Sequence, residues 1–181
     1  MEPALKHLID AIQAATHEQR PLRLRGGGSK DFLGQALTGD VLDTRAYTGI
    51  VSYEPTELVV TVRAGTPLAE LQALLATKGQ CLAFEPPHLG NPAHSTATVG
   101  GMVAAGLNGP ARASVGAVRD FILGVQVVNG RGELLTFGGQ VMKNVAGYDV
   151  SRLFAGSMGV LGLLAEVSIK VLPVAPAEAT L

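Results

Sequence analysis

The sequence contains no tryptophan and a single cysteine, Cys81. One thiol cannot close an internal disulfide, and it cannot supply the thiolates of an iron–sulfur cluster. A reduced, cytoplasmic setting is therefore expected. Charge is sparse and balanced, with 14 Lys and Arg against 15 Asp and Glu and a net charge of −1. That balance excludes nucleic acid as the main partner. Glycines interrupt the longest apolar runs well short of the ~20 residues of a membrane span, so no transmembrane segment is expected. The start, Met1 to His7, lacks a basic region followed by an apolar core, so no signal peptide is expected. No HExxH, CxxC or Ser/His/Asp constellation is present, and no metal site is assigned.

What the chain does have is glycine, 23 residues of it, in a composition that is 47% hydrophobic. At 181 residues it is long enough for one domain with a sizeable core. The densest stretch runs from Thr98 to Asp120 and holds Gly100, Gly101, Gly106, Gly109 and Gly116 among small apolar residues, with Arg112 and Arg119. Two further clusters are Arg25-Gly26-Gly27-Gly28-Ser29-Lys30 and Ala155-Gly156-Ser157-Met158-Gly159-Val160-Leu161-Gly162. Small residues between glycines bring backbone N–H groups to a phosphate without side chains in the way. None of the clusters is a P-loop, and none opens a βαβ unit as G-x-G-x-x-G. A helix-capping loop remains open as the alternative for Gly26 to Gly28.

Around these clusters the patterning alternates between helix and strand. Leu5, Leu8, Ile9 and Ile12 make one helical face that Pro21 ends. Leu22 to Arg25, Val41 to Asp43, Ile50 to Tyr53 and Leu58 to Val62 read as strands, the last buried on both faces. Thr66 is expected to cap a helix that opens with Pro67, carries Leu68, Leu71, Leu74 and Leu75, and stops at Gly79. Cys81 to Phe84 returns as a strand, and Glu85-Pro86-Pro87-His88 breaks regular structure. Phe121 to Asn129 and Gly132 to Phe137 read as an antiparallel pair around Asn129-Gly130. Asp149 to Phe154 reads as a short helix with Asp149 as N-cap candidate. Gly162 to Leu172 reads as a long strand ended by Pro173. His88 and His94 read as solvated loop residues, and Lys143 as a solvated or helix-end charge.

The order R-G-G-G-S, A-T-V-G-G-M, N-G-P-x-R-x-S-x-G-x-x-R-D and G-x-x-G before the last strand resembles the vanillyl-alcohol oxidase/p-cresol methylhydroxylase (PCMH) flavoproteins. The segment Val141 to Ser157, V-M-K-N-V-A-G-Y-D-V-S-R-L-F-A-G-S, looks like the FAD subunits of bacterial glycolate oxidases. The resemblance covers about Leu22 to Pro173. It implies an α+β, PCMH-type FAD-binding domain over 1–173. A small α/β subdomain (about 1–85) and a mainly antiparallel β subdomain (98–173) would enclose FAD between them, with a tail over 174–181. It further implies FAD contacts from Arg25, Gly26, Gly27, Gly28, Ser29, Pro86, Thr98, Val99, Gly100, Gly101, Gly109, Arg112, Gly116, Gly159, Leu163 and Glu166. Arg112 and Arg119 are equally able to pair with Asp120 or Glu166. Asn144, Tyr148 and Asp149 are open to flavin-side, substrate-side or purely local hydrogen bonding.

In relatives that attach FAD covalently, a histidine follows the glycines in a pattern like R-x-G-G-H; Ser29 stands at that position here, so FAD is expected to be non-covalent. The resemblance implies oxidation of a small 2-hydroxy acid, with electrons leaving through a homologous flavin subunit and an iron–sulfur subunit. The expected location is the cytoplasm, peripheral on the inner membrane through those partners. The substrate-binding cap of full-length relatives is expected to be absent, so no catalytic residue is assigned and the isolated chain is expected to be inactive. The alternatives are a non-catalytic interaction subunit with a vestigial flavin site, a D-lactate dehydrogenase-like enzyme and a sugar-nucleotide reductase of the same superfamily.

Overall fold

The computed structural model describes residues 2–36, 38–89, 96–140 and 147–177. Its architecture is α+β, as the resemblance implies. Helix α1 (Pro3–His17) buries Leu5, Leu8, Ile9, Ile12 and Ala15 on one face. It closes at His17, ahead of Pro21, because Gln19 turns into the left-handed region at φ 55°. Strand β1 (Leu22–Arg25) then pairs in parallel with β2 (Asp40–Asp43) and ends at the first glycine cluster.

Strands β3 (Ile50–Glu54) and β4 (Val59–Arg63) lead to α2 (Leu68–Ala76) and the two-residue β5 (Gln80–Cys81). The glycine-rich stretch holds three short helices, α3 (Val99–Ala105), α4 (Arg112–Val115) and α5 (Val118–Phe121). The chain finishes with β6 (Ile122–Val128), β7 (Leu134–Gly138), β8 (Leu163–Lys170) and β9 (Leu172–Pro173). One antiparallel sheet runs in the order β3-β4-β8-β6-β7, so strands from both halves of the sequence share it. β5 pairs with β9 beside it. Pro173 therefore closes the two-residue β9, and the long strand ends ahead of it, at Lys170.

The core explains these choices. Val59, Val60, Thr61 and Val62 of β4 are all buried, as a β-branched central strand should be. On β8 only Glu166 and Lys170 keep partial exposure; Ser168 is covered through a 2.8 Å hydrogen bond with Thr61. The main cluster joins the sheet to Leu68, Leu71 and Leu75 of α2 and to Val99, Met102 and Val103 of α3. Leu74 is only half-buried. Phe84, expected on a strand, instead lies in a turn and packs fully buried against Phe121, ring centroids 5.1 Å apart. A second cluster fills the space under α1, with Leu42, Tyr47, Val128 and Leu163.

Thr66 does not cap α2, whose cap position is Pro67. Its side chain is wholly buried and its Oγ1 accepts the Gly49 N–H at 2.9 Å, while its carbonyl accepts the Val99 N–H at 2.9 Å. Thr66→Val keeps the shape and strands that Gly49 donor. It should cost about 1–3 kcal/mol in urea unfolding; wild-type stability would show that the hydroxyl bond is dispensable.

Candidate functional site

Helix α3 begins where two glycines would ordinarily discourage a helix. Tertiary bonds offset that. The Val99 N–H donates to Thr66 O (2.9 Å) and the Gly100 N–H to Ala64 O (2.8 Å). Thr98 caps the helix, its Oγ1 accepting the Gly101 N–H at 3.2 Å. A Cβ on Gly100 would stand 2.6 Å from Ala64 Cβ and 3.0 Å from Ala64 O, so Gly100 is glycine because the helix end abuts β4. Gly101, one position on, is half-exposed and would meet only Thr98 Oγ1, at 3.1 Å.

The exposed side of α3 forms one wall of a cleft. The opposite wall is the end of β1 and the loop after it; the third is the turn from Met158 to Gly162. Two adjoining hollows of about 80 and 140 Å³ share Leu24, Arg25, Gly26, Gly101, Ala104 and Met158. The first is closed by Ala64, Gly159, Leu163 and Leu164 and is mainly apolar. The second is closed by Gly27, Gly28, Ser29, Lys30 and Thr98. The Met158 turn is bonded directly to α3, through Gly156 N–H to Val103 O (3.0 Å) and Met158 N–H to Ala104 O (2.9 Å). Met158 takes φ 53°, an uncommon conformation for a non-glycine residue and one that clusters at functional sites.

The glycine loop needs its glycines. A Cβ on Gly26 would run into the Thr98 side chain, and one on Gly27 into the Thr96 carbonyl. Among the described residues the N–H groups of Gly27, Gly28 and Ser29 donate to no protein acceptor. Arg25 folds back onto its own loop and pairs with Asp31 at 2.6 Å. Its hydrogen bond holds the Asp31 carboxyl below the ordinary carboxylate range. Lys30 is half-buried, and burial lowers its amine from the usual lysine value. Its place in the second hollow was not foreseen from the sequence, although it directly follows the motif.

The structure brings together Arg25, Gly26, Gly27, Gly28, Ser29, Thr98, Gly100, Gly101, Gly159 and Leu163. Others fall elsewhere. Val99 is fully buried in the core, and Pro86 is buried ahead of the cleft segment. Gly109 abuts Glu85, and Gly116 abuts the Asp120 carboxylate. Arg112 and Arg119 line a separate cavity with Asn108 and Gly156, beyond the C-terminal end of α3. Arg119 approaches Asp120 at 4.0 Å, one of the pairings left open by the sequence. The Glu166 carboxylate is engaged by the Tyr47 hydroxyl at 2.6 Å and lines a separate hollow with Gln126 and Ser168. Burial and that bond push the Tyr47 hydroxyl well above its usual range.

Asp149 accepts the Ser151 hydroxyl (2.8 Å) and pairs with Arg152 (2.7 Å), ahead of a 3-10 turn Ser151–Phe154 whose cap position is Val150. Tyr148 is 95% exposed. His88 is half-buried and hydrogen-bonds Gln72 at 2.6 Å, so it is not simply solvated. His94, Lys143 and Asn144 lie outside the described residues. Among the described residues no cluster of His, Cys, Asp and Glu could hold a metal ion.

The cleft suits a dinucleotide: an apolar hollow at one end, unpaired backbone donors and a cation at the other, and glycines where side chains would close it. Comparison with known proteins points the same way. A family model described as FAD binding domain matches residues 5–138. Glycolate oxidase subunit GlcE of Escherichia coli is 54% identical over 92% of this chain and 46% of its own length. Glycolate oxidase subunit GlcD of Bacillus subtilis is 32% identical over 96% of this chain and 36% of its own. A D-lactate dehydrogenase of Archaeoglobus fulgidus is 31% identical over 96% and 38%. The chain thus spans less than half the length of these relatives. A solved alkyldihydroxyacetonephosphate synthase shares the fold with a TM-score of 0.71 at 21% identity, over 95% of this chain and 31% of that one.

Adjacent glycines should separate folding from binding. Gly100→Val should lower thermal stability sharply, because the neighbouring atoms are backbone and a packed Cβ. Gly101→Val should fold and lose FAD affinity by about tenfold or more in a flavin-fluorescence titration, since its side chain would project into the cleft. Equal FAD affinity for folded Gly101→Val and wild type would contradict the placement.

Proposed function

The chain belongs to the FAD binding domain family, and on that premise we propose that it is the FAD-binding part of a 2-hydroxy acid oxidoreductase of the glycolate oxidase kind. The observation that carries the proposal is the convergence of all three glycine clusters on one cleft. Bound FAD supplies a two-electron acceptor; the protein supplies placement and electrostatics. Gly27, Gly28 and Ser29 offer N–H donors to its phosphates, Leu163 and Leu164 an apolar bed, and Gly101 the clearance for close approach.

The dimensions favour a shared site. Hollows of about 80 and 140 Å³ fall below the roughly 300–1,000 Å³ of a complete ligand pocket. They enclose part of FAD and leave the rest to be covered by other protein. Met158, Val160 and Leu161 are 54%, 85% and 52% exposed at the rim, an apolar edge suited to such a covering. The covering protein would carry the substrate and the proton-abstracting group. In this proposal the partners are a homologous flavin subunit and an iron–sulfur subunit. The assembly is cytoplasmic and peripheral to the inner membrane through those partners. No helix among the described residues is long and apolar enough to cross a membrane.

The flavin is held without a covalent bond. Ser29 occupies the place of the attachment histidine, and a neutral hydroxyl is a poor nucleophile toward the flavin methyl carbon. Cys81 lies on β5, outside the cleft lining, and burial raises its thiol above the ordinary value.

Two outcomes follow for the purified, FAD-loaded protein. Acid precipitation should release the flavin to the supernatant, and neither glycolate nor D-lactate should bleach it until the partner subunits are added. Yellow colour in the washed pellet would overturn the non-covalent assignment. Rapid bleaching of the chain alone would place a complete active site within these residues.

A further inference from the structure

We propose that Lys30 is the counter-charge of the FAD pyrophosphate, and that Arg25 is the brace that holds the loop presenting it. The inference rests on FAD binding in the cleft and assigns a role within it.

The first argument is elimination of the other charges. Two phosphates bring negative charge into a cleft whose second hollow contains Arg25, Lys30 and Asp31 as its charged side chains. Arg25 and Asp31 neutralise each other through contacts of 2.6 and 2.7 Å. Arg112 and Arg119 line a different cavity, past the far end of α3. The first N–H groups of α3, which could otherwise have faced an anion, are spent on Thr66 O, Ala64 O and Thr98 Oγ1. One cation is left.

The second argument is the state of that cation. Among the described residues Lys30 has one polar contact, with Ser29 Oγ at 3.4 Å, and no carboxylate within ion-pair distance. It is half-buried, and burial alone lowers its pKa, with no neighbouring charge acting on it. A long, flexible ammonium left partly desolvated and unpaired inside a fold destabilises it unless something binds there. The partial desolvation is already present before ligand arrives, so a phosphate meets a preorganised charge. A lysine ammonium is a compact point charge able to serve either phosphate of the pair.

The brace follows from the same geometry. Gly28 takes φ 74°, and a Cβ there would collide with the Arg25 guanidinium, which therefore lies across the loop. The Asp31 N–H donates to Gly28 O at 3.2 Å. The Arg25–Asp31 pair thus closes the turn that carries Gly27, Gly28 and Ser29, and places Lys30 next to their N–H groups.

The test is FAD titration by fluorescence at low and high KCl, with thermal melts of each variant. Wild type should bind more weakly as salt rises. Lys30→Met should weaken FAD about ten- to a hundredfold at low salt, flatten the salt dependence and leave the melting temperature of the FAD-free protein at or above that of wild type. Lys30→Arg should restore most of the affinity. Arg25→Met should leave the melting temperature close to wild type, weaken FAD because the loop is no longer held, and keep the wild-type salt slope. If Lys30→Met binds FAD within twofold of wild type, or keeps the full salt slope, Lys30 is not the counter-charge although FAD binding stands. If wild type itself binds no FAD, both the cleft assignment and this inference fail.

Discussion

The close approach of α3 to the end of β4 is the contact on which the site depends. Gly100 lacks a side chain, so its N–H reaches Ala64 O at 2.8 Å while Val99 reaches Thr66 O at 2.9 Å. Ala64 is in turn tied to β8 through Ala165 O at 2.7 Å. A seven-residue helix would be marginal alone. Anchored to the sheet at its first turn and capped by Thr98, it becomes rigid enough to carry one wall of a cleft. The two other walls are fixed to the same elements. The Met158 turn bonds to Val103 O and Ala104 O, and the loop after β1 fits its glycines against Thr96 and Thr98.

That arrangement divides the glycines by task. Gly26, Gly27 and Gly100 permit protein-to-protein contact; Gly101 keeps open the space a ligand would use. In the glycine loop the Arg25–Asp31 pair is exposed enough that its direct contribution to stability is small. Its consequence is geometric, because it fixes where Lys30 and three N–H groups stand. The hollow between Leu24, Ala64 and Leu164 and the hollow beside Lys30 then meet end to end, as the base and phosphates of a dinucleotide would require.

Local features were legible in the sequence where local physics decides them. The face of α1, the buried β4, the β6–β7 hairpin and the glycine clusters all follow from periodicity and turn chemistry. The α+β class and the FAD-binding family were legible through the order of the motifs. What was not legible depends on distant partners. The α3 helix hid within a glycine run because its first turn is stabilised by Thr66 and Ala64, far earlier in the chain. Thr66 carries a capping signature but spends its hydroxyl on Gly49. Arg112 and Glu166 have the right chemistry for phosphate or ribose, and the fold sets them apart from the cleft. Lys30 ends the first glycine cluster, but that position assigns it no role; its burial and the lack of a carboxylate partner single it out.

A crystal structure of the purified protein grown with FAD tests the central claim most directly. The account predicts pyrophosphate density within hydrogen-bonding distance of the Gly27, Gly28 and Ser29 N–H groups and of Lys30 Nζ, with no bond from the flavin to any side chain. Phosphates seated instead against Arg112 and Arg119, with the cleft between α3 and the glycine loop empty, would contradict it.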